Sequence, residues 1–123
     1  METLEAIYIE DDEQEAFIMR VGMRRQGIKV THVPDISVDT IHDLQAPPYQ
    51  NAVAVIFDAI LTGTSGVTLA RALRTSGDNR LIVLLTAGEN PDPELLKRYN
   101  IYYLRKPPKF EQLAAMIRDA VGQ

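Results

Sequence analysis

The sequence predicts an α/β fold: a doubly wound parallel sheet of five strands with helices on both faces. Two observations predict it. Short apolar runs alternate with stretches of helical period along the chain. Two of those runs, AVAVIF at residues 52–57 and LIVLL at 81–85, are apolar at every position, as strands covered on both faces must be. Such alternation implies parallel strands joined by right-handed crossovers.

In chain order, residues 4–9 read as the first strand. Residues 13–26 read as a helix, with Phe17, Met19, Val21 and Met23 among its apolar positions and Gly27 at its end. The segment IKVTHV, residues 28–33, is the second strand. Asp35 is placed to cap a short helix that runs to about Leu44 through Val38 and Ile41. APPYQN is a loop, because its two prolines break helix and ladder alike. Residues 52–57 form the third strand, 66–75 a helix with Val67, Leu69, Ala70 and Leu73 inward, and 81–85 the fourth strand. Asp92 followed by Pro93 opens another helix, which ends near Asn100. Residues 101–104 are the fifth strand. Residues 110–121 close the chain as an amphipathic helix, with Leu113, Ile117, Ala120 and Val121 on one face.

Composition narrows the function. A chain of 123 residues fits one domain. It has no cysteine, which excludes disulfides, thiolate metal sites and a cysteine nucleophile, and suits a cytoplasmic location. The acidic start METLEAIYIEDD lacks the basic and apolar segments of a signal peptide, and no apolar run is long enough to span a bilayer. A net charge of -4 argues against nucleic acid as a direct partner. No internal repeat or low-complexity tract is present.

In open α/β sheets the functional crevice lies beyond the carboxyl ends of the strands. The first strand ends in Glu10 and Asp11, the third in Asp58, the fourth in Thr86 and the fifth in Lys106-Pro107. Each has a bland reading. Asp12 with Glu15 makes a capping box, and Glu13 favours the positive end of the first helix. Asp58 could be a turn residue, Thr86 a strand end and Lys106 a loop lysine. The capping reading leaves Glu10 and Asp11 unexplained, and the bland set needs several coincidences at one crevice. The chemical reading needs none. Crowded carboxylates repel, and a divalent cation such as magnesium removes that cost. A lysine and a threonine hydroxyl can hold phosphoryl oxygens, leaving one aspartate to attack phosphorus. That reaction needs no histidine, and His32 and His42 read as structural or solvated.

Together the segments IYIEDDE, VIFDAILTGTSG, VLLTAG and YYLRKPP resemble the receiver domains of two-component response regulators, and single-domain chemotaxis-type regulators are nearest in size. The resemblance covers nearly the whole chain, residues 1–123, as one receiver domain. Any one segment is a weak signal; all four, in order and at family-like spacing, are a specific one. The resemblance implies a flavodoxin-like (βα)5 sheet in strand order 2-1-3-4-5. It implies that Asp58 is the phosphoacceptor and that Glu10 and Asp11 hold Mg2+, with Asp11 the direct ligand and the backbone carbonyl of Ile60 completing the set. It implies that Thr86 contacts the phosphoryl group, that Lys106 pairs with it, that Tyr103 is the aromatic switch, and that the bond before Pro107 is cis. The implied partners are a histidine kinase or histidine phosphotransfer protein and a downstream target protein, in a phosphorelay read out through the fourth helix, fifth strand and fifth helix. A homodimer is also within the family's range. The implied role is regulatory rather than enzymatic.

The chain also departs from the family. After Asp58 the usual D-x-x-L-P-G-M-D-G becomes DAILTGTSG, so Thr62, Thr64 and Ser65 replace proline, methionine and aspartate. Pro108 stands where an aromatic is common. AGENPDPELLKRYN holds two prolines, so the fourth helix should start late, near Pro93. Tyr99, Tyr102, Tyr103, Lys97 and Arg98 gather by that face, and tyrosine and arginine are favoured at interfaces. The resemblance implies that Ile60 and Gly88 border the path of an attacking water; apolar Ile60 and side-chain-free Gly88 offer nothing to orient it, which implies slow self-dephosphorylation. The rival readings are weaker. A degenerate receiver, acting as a phosphorylation-independent interaction module, would be favoured by loss of an acid, threonine or lysine. An aspartate-nucleophile phosphatase needs a second aspartate where Ile60 stands. A flavin site needs a phosphate loop after the first strand. A DNA-binding regulator needs an output domain.

Overall fold

The computed structural model describes residues 3–88 and 90–123. In chain order the elements are β1 (Leu4–Ile9), α1 (Glu13–Arg25), β2 (Ile28–Val33), a 3-10 helix (Val38–Gln45), β3 (Ala54–Asp58), a short pair β4 (Ile60–Leu61) and β5 (Thr64–Ser65), α2 (Gly66–Thr75), β6 (Leu81–Thr86), α3 (Pro93–Tyr99), β7 (Tyr102–Arg105) and α4 (Phe110–Ala120). The main sheet has the order β2-β1-β3-β6-β7 with every neighbour parallel. With the antiparallel β4–β5 hairpin set aside, this is the expected 2-1-3-4-5 order.

Alternation along the strands builds two cores. Ile7, Ile9, Val55, Phe57, Ile82 and Leu84 face one side and pack with Leu69 and Leu73 of α2, Ile41 and Leu44 of the 3-10 helix, and Leu96. Their neighbours Ala6, Tyr8, Ala54, Ile56, Val83 and Leu85 face the other side, against Met19 and Met23 of α1 and Leu113 and Ile117 of α4. The period of two sorts these residues. Each large side chain so buried contributes about 1.5–3 kcal/mol relative to exposure.

Several expectations shift in detail. On α1 the buried residues are Ala16, Met19, Gly22 and Met23, while Phe17 is 58% exposed. Of the four apolar positions, Met19 and Met23, four apart on one face, are the buried ones. Asp35 does not cap the next helix. Ser37 does: its N–H donates to Thr40 Oγ1 (3.0 Å), and the segment winds as a 3-10 helix. The third strand starts at Ala54 rather than 52, because the Ala52 N–H is used in a turn to the Tyr49 carbonyl. It runs on to include Asp58. On α4, Leu113, Ala114 and Ile117 are buried, whereas Ala120 is exposed and Val121 lies past the helix end, also exposed. The hairpin β4–β5, which turns at Gly63 (φ 79°), was not foreseen. α3 starts late, at Pro93 with Asp92 as its cap, as expected.

The end of the sheet opposite the acidic strand ends is tied by two arginines. Arg80 pairs with buried Asp78 (2.6 Å) and donates to the carbonyls of Leu44, Tyr49 and Ala52. Arg74 donates to the carbonyls of Asp78, Arg80, Tyr99 and Asn100. These bonds satisfy carbonyls in the turns that lead into β3, β6 and β7. No helix among the described residues is long and apolar enough to cross a membrane.

Candidate functional site

Strand parity sets the site. Tyr8 and Glu10 share a face of β1, with Glu10 just past its end, and Ile56 and Asp58 share that face of β3. Both carboxylates are buried, Glu10 at 1% and Asp58 at 7% exposure. Lys106 follows β7, and its backbone N–H donates to the Thr86 carbonyl (2.7 Å). Its ammonium reaches Asp58 Oδ1 at 2.9 Å, Glu15 Oε1 and Oε2 at 3.1 and 3.3 Å, and Glu10 Oε2 at 3.6 Å. The Lys106–Pro107 bond is cis, as the resemblance implied; Pro47–Pro48, on which nothing was expected, is cis too.

Charge at this point is dense. Burial, with the neighbouring Asp58 carboxyl, pushes the Glu10 carboxyl up from 4.5 to about 8, although the Asp12 N–H opposes this. The Tyr8 hydroxyl donates to Glu10 Oε2 (3.1 Å), and burial and the Glu10 charge raise the phenol above its usual range. Burial alone would lower Lys106, but the hydrogen bonds to Asp58 and Glu15 and the nearby charges outweigh it and raise the ammonium.

Asp11 sits differently. It is exposed, and its Oδ2 accepts from the Thr62 hydroxyl (2.5 Å) and the Thr62 N–H (2.9 Å). Those two bonds hold its carboxyl below the ordinary aspartate range. Among the described residues, Glu10, Glu15 and Asp58 each bring one carboxylate oxygen within 4.8 Å of the others, a group that could hold a metal ion. Asp11 is not in that group. The donor set is nevertheless right for magnesium, which takes carboxylate oxygens and keeps several waters.

Thr86 is 4% exposed, and its Oγ1 has no hydrogen-bond partner among the described residues. Leaving a buried hydroxyl unpaired costs about 1–3 kcal/mol. Such a group at a strand end, one residue past the partner of Asp58 (Asp58 pairs with Leu85), is a donor available to a ligand. Tyr103 is 38% exposed on the edge strand and pairs in register with Leu84, two residues short of Thr86. Ile60 is 78% exposed at the start of the hairpin. A Cβ at Gly88 would meet nothing within 4 Å. Gly66 opens α2 against the Asp58 carbonyl, and a Cβ there would overlap that oxygen.

Sequence reasoning missed Glu15, Tyr8 and Thr62 as members of the site, and it read His32 as structural or solvated. Glu15 was assigned to a capping box with Asp12. The Asp12 side chain does cap α1, accepting from the N–H groups of Gln14 (2.8 Å) and Glu15 (3.1 Å). The reciprocal bond comes from Glu10, whose Oε1 accepts from the Asp12 N–H (3.1 Å). The Glu15 carboxylate is thereby left to pair with Lys106. Its position was legible: Glu15, Met19 and Gly22 recur at helical spacing on the inward face of α1. Tyr8 was legible too, two residues before Glu10 on one strand face. The contact of the His32 ring with the Glu10 carbonyl (2.5 Å) follows from the pairing of β1 with β2, which no local pattern announces.

No protein-family model matches the chain. It is 29% identical over 126 residues to the uncharacterized transcriptional regulatory protein YkoG of Bacillus subtilis (strain 168), a match over 100% of this chain and 53% of that protein. The chain therefore spans about half the length of the curated relative it matches. Among solved structures, the signal receiver domain of a modulated diguanylate cyclase from Desulfovibrio desulfuricans G20 is 26% identical with a TM-score of 0.76, covering 98% of this chain and 94% of that one. A CheY-like response regulator receiver domain from Methylobacillus flagellatus is 22% identical with a TM-score of 0.78, covering 97% and 99%. Chemotaxis protein CheY4 of Vibrio cholerae is 16% identical with a TM-score of 0.77, also covering 97% and 99%. The chain has the fold of the CheY-like response regulator receiver domains.

Proposed function

We propose that this protein is a phosphoacceptor receiver of a two-component signalling system, in which Asp58 takes up a phosphoryl group in a magnesium-dependent reaction. One observation carries the reading: the buried Asp58 carboxylate lies 2.9 Å from the Lys106 ammonium at strand ends that also hold the unpartnered Thr86 hydroxyl. In the transfer, an Asp58 carboxylate oxygen attacks the phosphorus of a phosphohistidine on a kinase or phosphotransfer protein. The O–P bond forms, the P–N bond breaks, and the imidazole nitrogen keeps the electron pair. Glu10, Asp11 and Asp58, with the Ile60 carbonyl, would hold magnesium, which when bound supplies positive charge to the phosphoryl oxygens. Lys106 pairs with one phosphoryl oxygen and Thr86 donates to another.

The new group brings charge and strong acceptors. Thr86 moves toward it, Tyr103 fills the space, and the face of α3, β7 and α4 changes for a downstream target. Tyr99, Tyr102 and Tyr103 lie on or beside that face. The chain acts as one receiver domain, in the cytoplasm, without touching nucleic acid itself. Intact mass after incubation with magnesium and acetyl phosphate tests the reading. One added phosphoryl group in the parent and none in Asp58→Asn supports it. No gain in the parent from acetyl phosphate, and none from a phosphorylated histidine protein, overturns it.

A further inference from the structure

Lys106 has three N–H donors and no acceptor. All three have carboxylate partners within 3.3 Å: Asp58 Oδ1 once, and the two oxygens of Glu15. Any phosphoryl oxygen that pairs with Lys106 must draw a donor from one of these. Asp58 is the attachment point and stays in place, so the donors to be surrendered are those on Glu15. We propose that Glu15 is a positioning residue that competes with the phosphoryl group for the Lys106 ammonium and so favours the unphosphorylated state of Asp58. This inference rests on the phosphoacceptor reading and assigns a bias to that same site.

Three features support the competition. The Glu15 side chain is not needed for the α1 cap, because Glu10 makes the reciprocal bond to the Asp12 N–H. The Lys106 side chain is 17% exposed, so its pair with Glu15 is partly desolvated and screened less than a surface pair. Glu15 is 44% exposed, so it can release the ammonium and turn to water without disturbing the core. A phosphoryl dianion on Asp58 would also add like-charge repulsion with Glu15, one of whose oxygens lies within 4.8 Å of an Asp58 oxygen.

The test compares the parent with Glu15→Gln and Glu15→Ala, and with Glu13→Gln as the control. Glu13 is an exposed acid in the same first turn of α1, so its loss changes net charge equally without freeing Lys106. Acetyl phosphate serves as donor: the Asp58 oxygen attacks phosphorus, the P–O bond to the acetyl group breaks, and acetate leaves with the bonding pair. Two quantities are read at saturating magnesium, the steady phosphorylated fraction by intact mass and the affinity for beryllofluoride as a phosphoryl mimic. Magnesium affinity and the unfolding midpoint are read alongside.

Both Glu15 variants should bind beryllofluoride about fivefold more tightly and reach a higher phosphorylated fraction, the size expected for loss of one competing ion pair. Magnesium affinity should not rise, and Glu13→Gln should match the parent. A purely structural role for Glu15 would move the unfolding midpoint without separating the two affinities. Glu15 variants that match Glu13→Gln, or bind beryllofluoride more weakly than the parent, overturn the inference while leaving the receiver reading intact. A parent that takes up no phosphoryl group and binds no beryllofluoride overturns the reading and the inference together.

Discussion

The ammonium of Lys106 lies 2.9 Å from Oδ1 of Asp58, although the two residues end different strands with β6 between them. The ammonium neutralises a group of carboxylates that would otherwise repel. Lys106→Met should therefore cost about 2 kcal/mol of stability, less than a fully buried pair because Lys106 and its partner Glu15 are partly exposed. Added magnesium should restore much of it, since a cation that binds only the folded site stabilises it. Denaturant titrations of parent and variant, with and without magnesium, check both halves.

The Thr86 hydroxyl is buried and unpaired among the described residues. A hydroxyl kept at a cost to stability is expected where a ligand uses it. Thr86→Val should raise the stability of the unphosphorylated protein by about 1 kcal/mol. It should also lower the phosphorylated fraction reached with acetyl phosphate. A variant that is less stable than the parent and equally phosphorylated would contradict the assignment of this hydroxyl.

Gly66 has no room for a side chain beside the Asp58 carbonyl. Gly66→Ala should destabilise the fold by about 1–3 kcal/mol through overpacking, because the obstacle is backbone and cannot swing aside. It should also slow phosphoryl uptake at Asp58. The comparison is Gly88→Ala, where a Cβ meets nothing within 4 Å and little change in stability is expected. Thermal unfolding of the two variants makes the contrast.

Acid stability should depend on Asp78. Burial alone would raise its carboxyl, but the hydrogen bonds and charge of Arg80 hold it below 3.8. A depressed folded value means that the unfolded chain binds more protons as pH falls below about 4, so stability drops there. The contribution is fully present above the unfolded value and is lost as pH falls through the folded one. Asp78→Asn should cost about 2–3 kcal/mol at neutral pH and flatten the acid limb of stability against pH. Urea midpoints from neutral pH down to well below the ordinary aspartate value measure both effects.

Ile60 is exposed and carries no polar group, and Gly88 has no side chain. Neither can orient a water for attack on the acyl phosphate. Self-dephosphorylation should be slow, and Ile60→Asn or Ile60→Asp should shorten the phosphoryl lifetime by about tenfold, short of the ~100-fold at the low end for a fully positioned acid–base group. Loss of the added mass over time, after the donor is removed, gives the rates.

The sequence by itself determined the fold and the strand-end position of the chemistry. Runs apolar on both faces can be stable only between two layers of helix, and crossover handedness then limits the topology. Those constraints bring Glu10, Asp58, Thr86 and Lys106 to one edge of the sheet. Local signals also located α2 at Gly66–Thr75 and α3 at Pro93. The tertiary structure alone decided which partner each charged group takes. Asp11, which the resemblance implies as the direct magnesium ligand, accepts two hydrogen bonds from Thr62 that no local pattern announces. Glu15 looked like a helix cap but pairs with Lys106 from across the sheet. The physical reason is range. Hydrophobic period and capping act over a few residues of one segment, whereas an ion pair between α1 and the end of β7 exists only once packing has set where both lie.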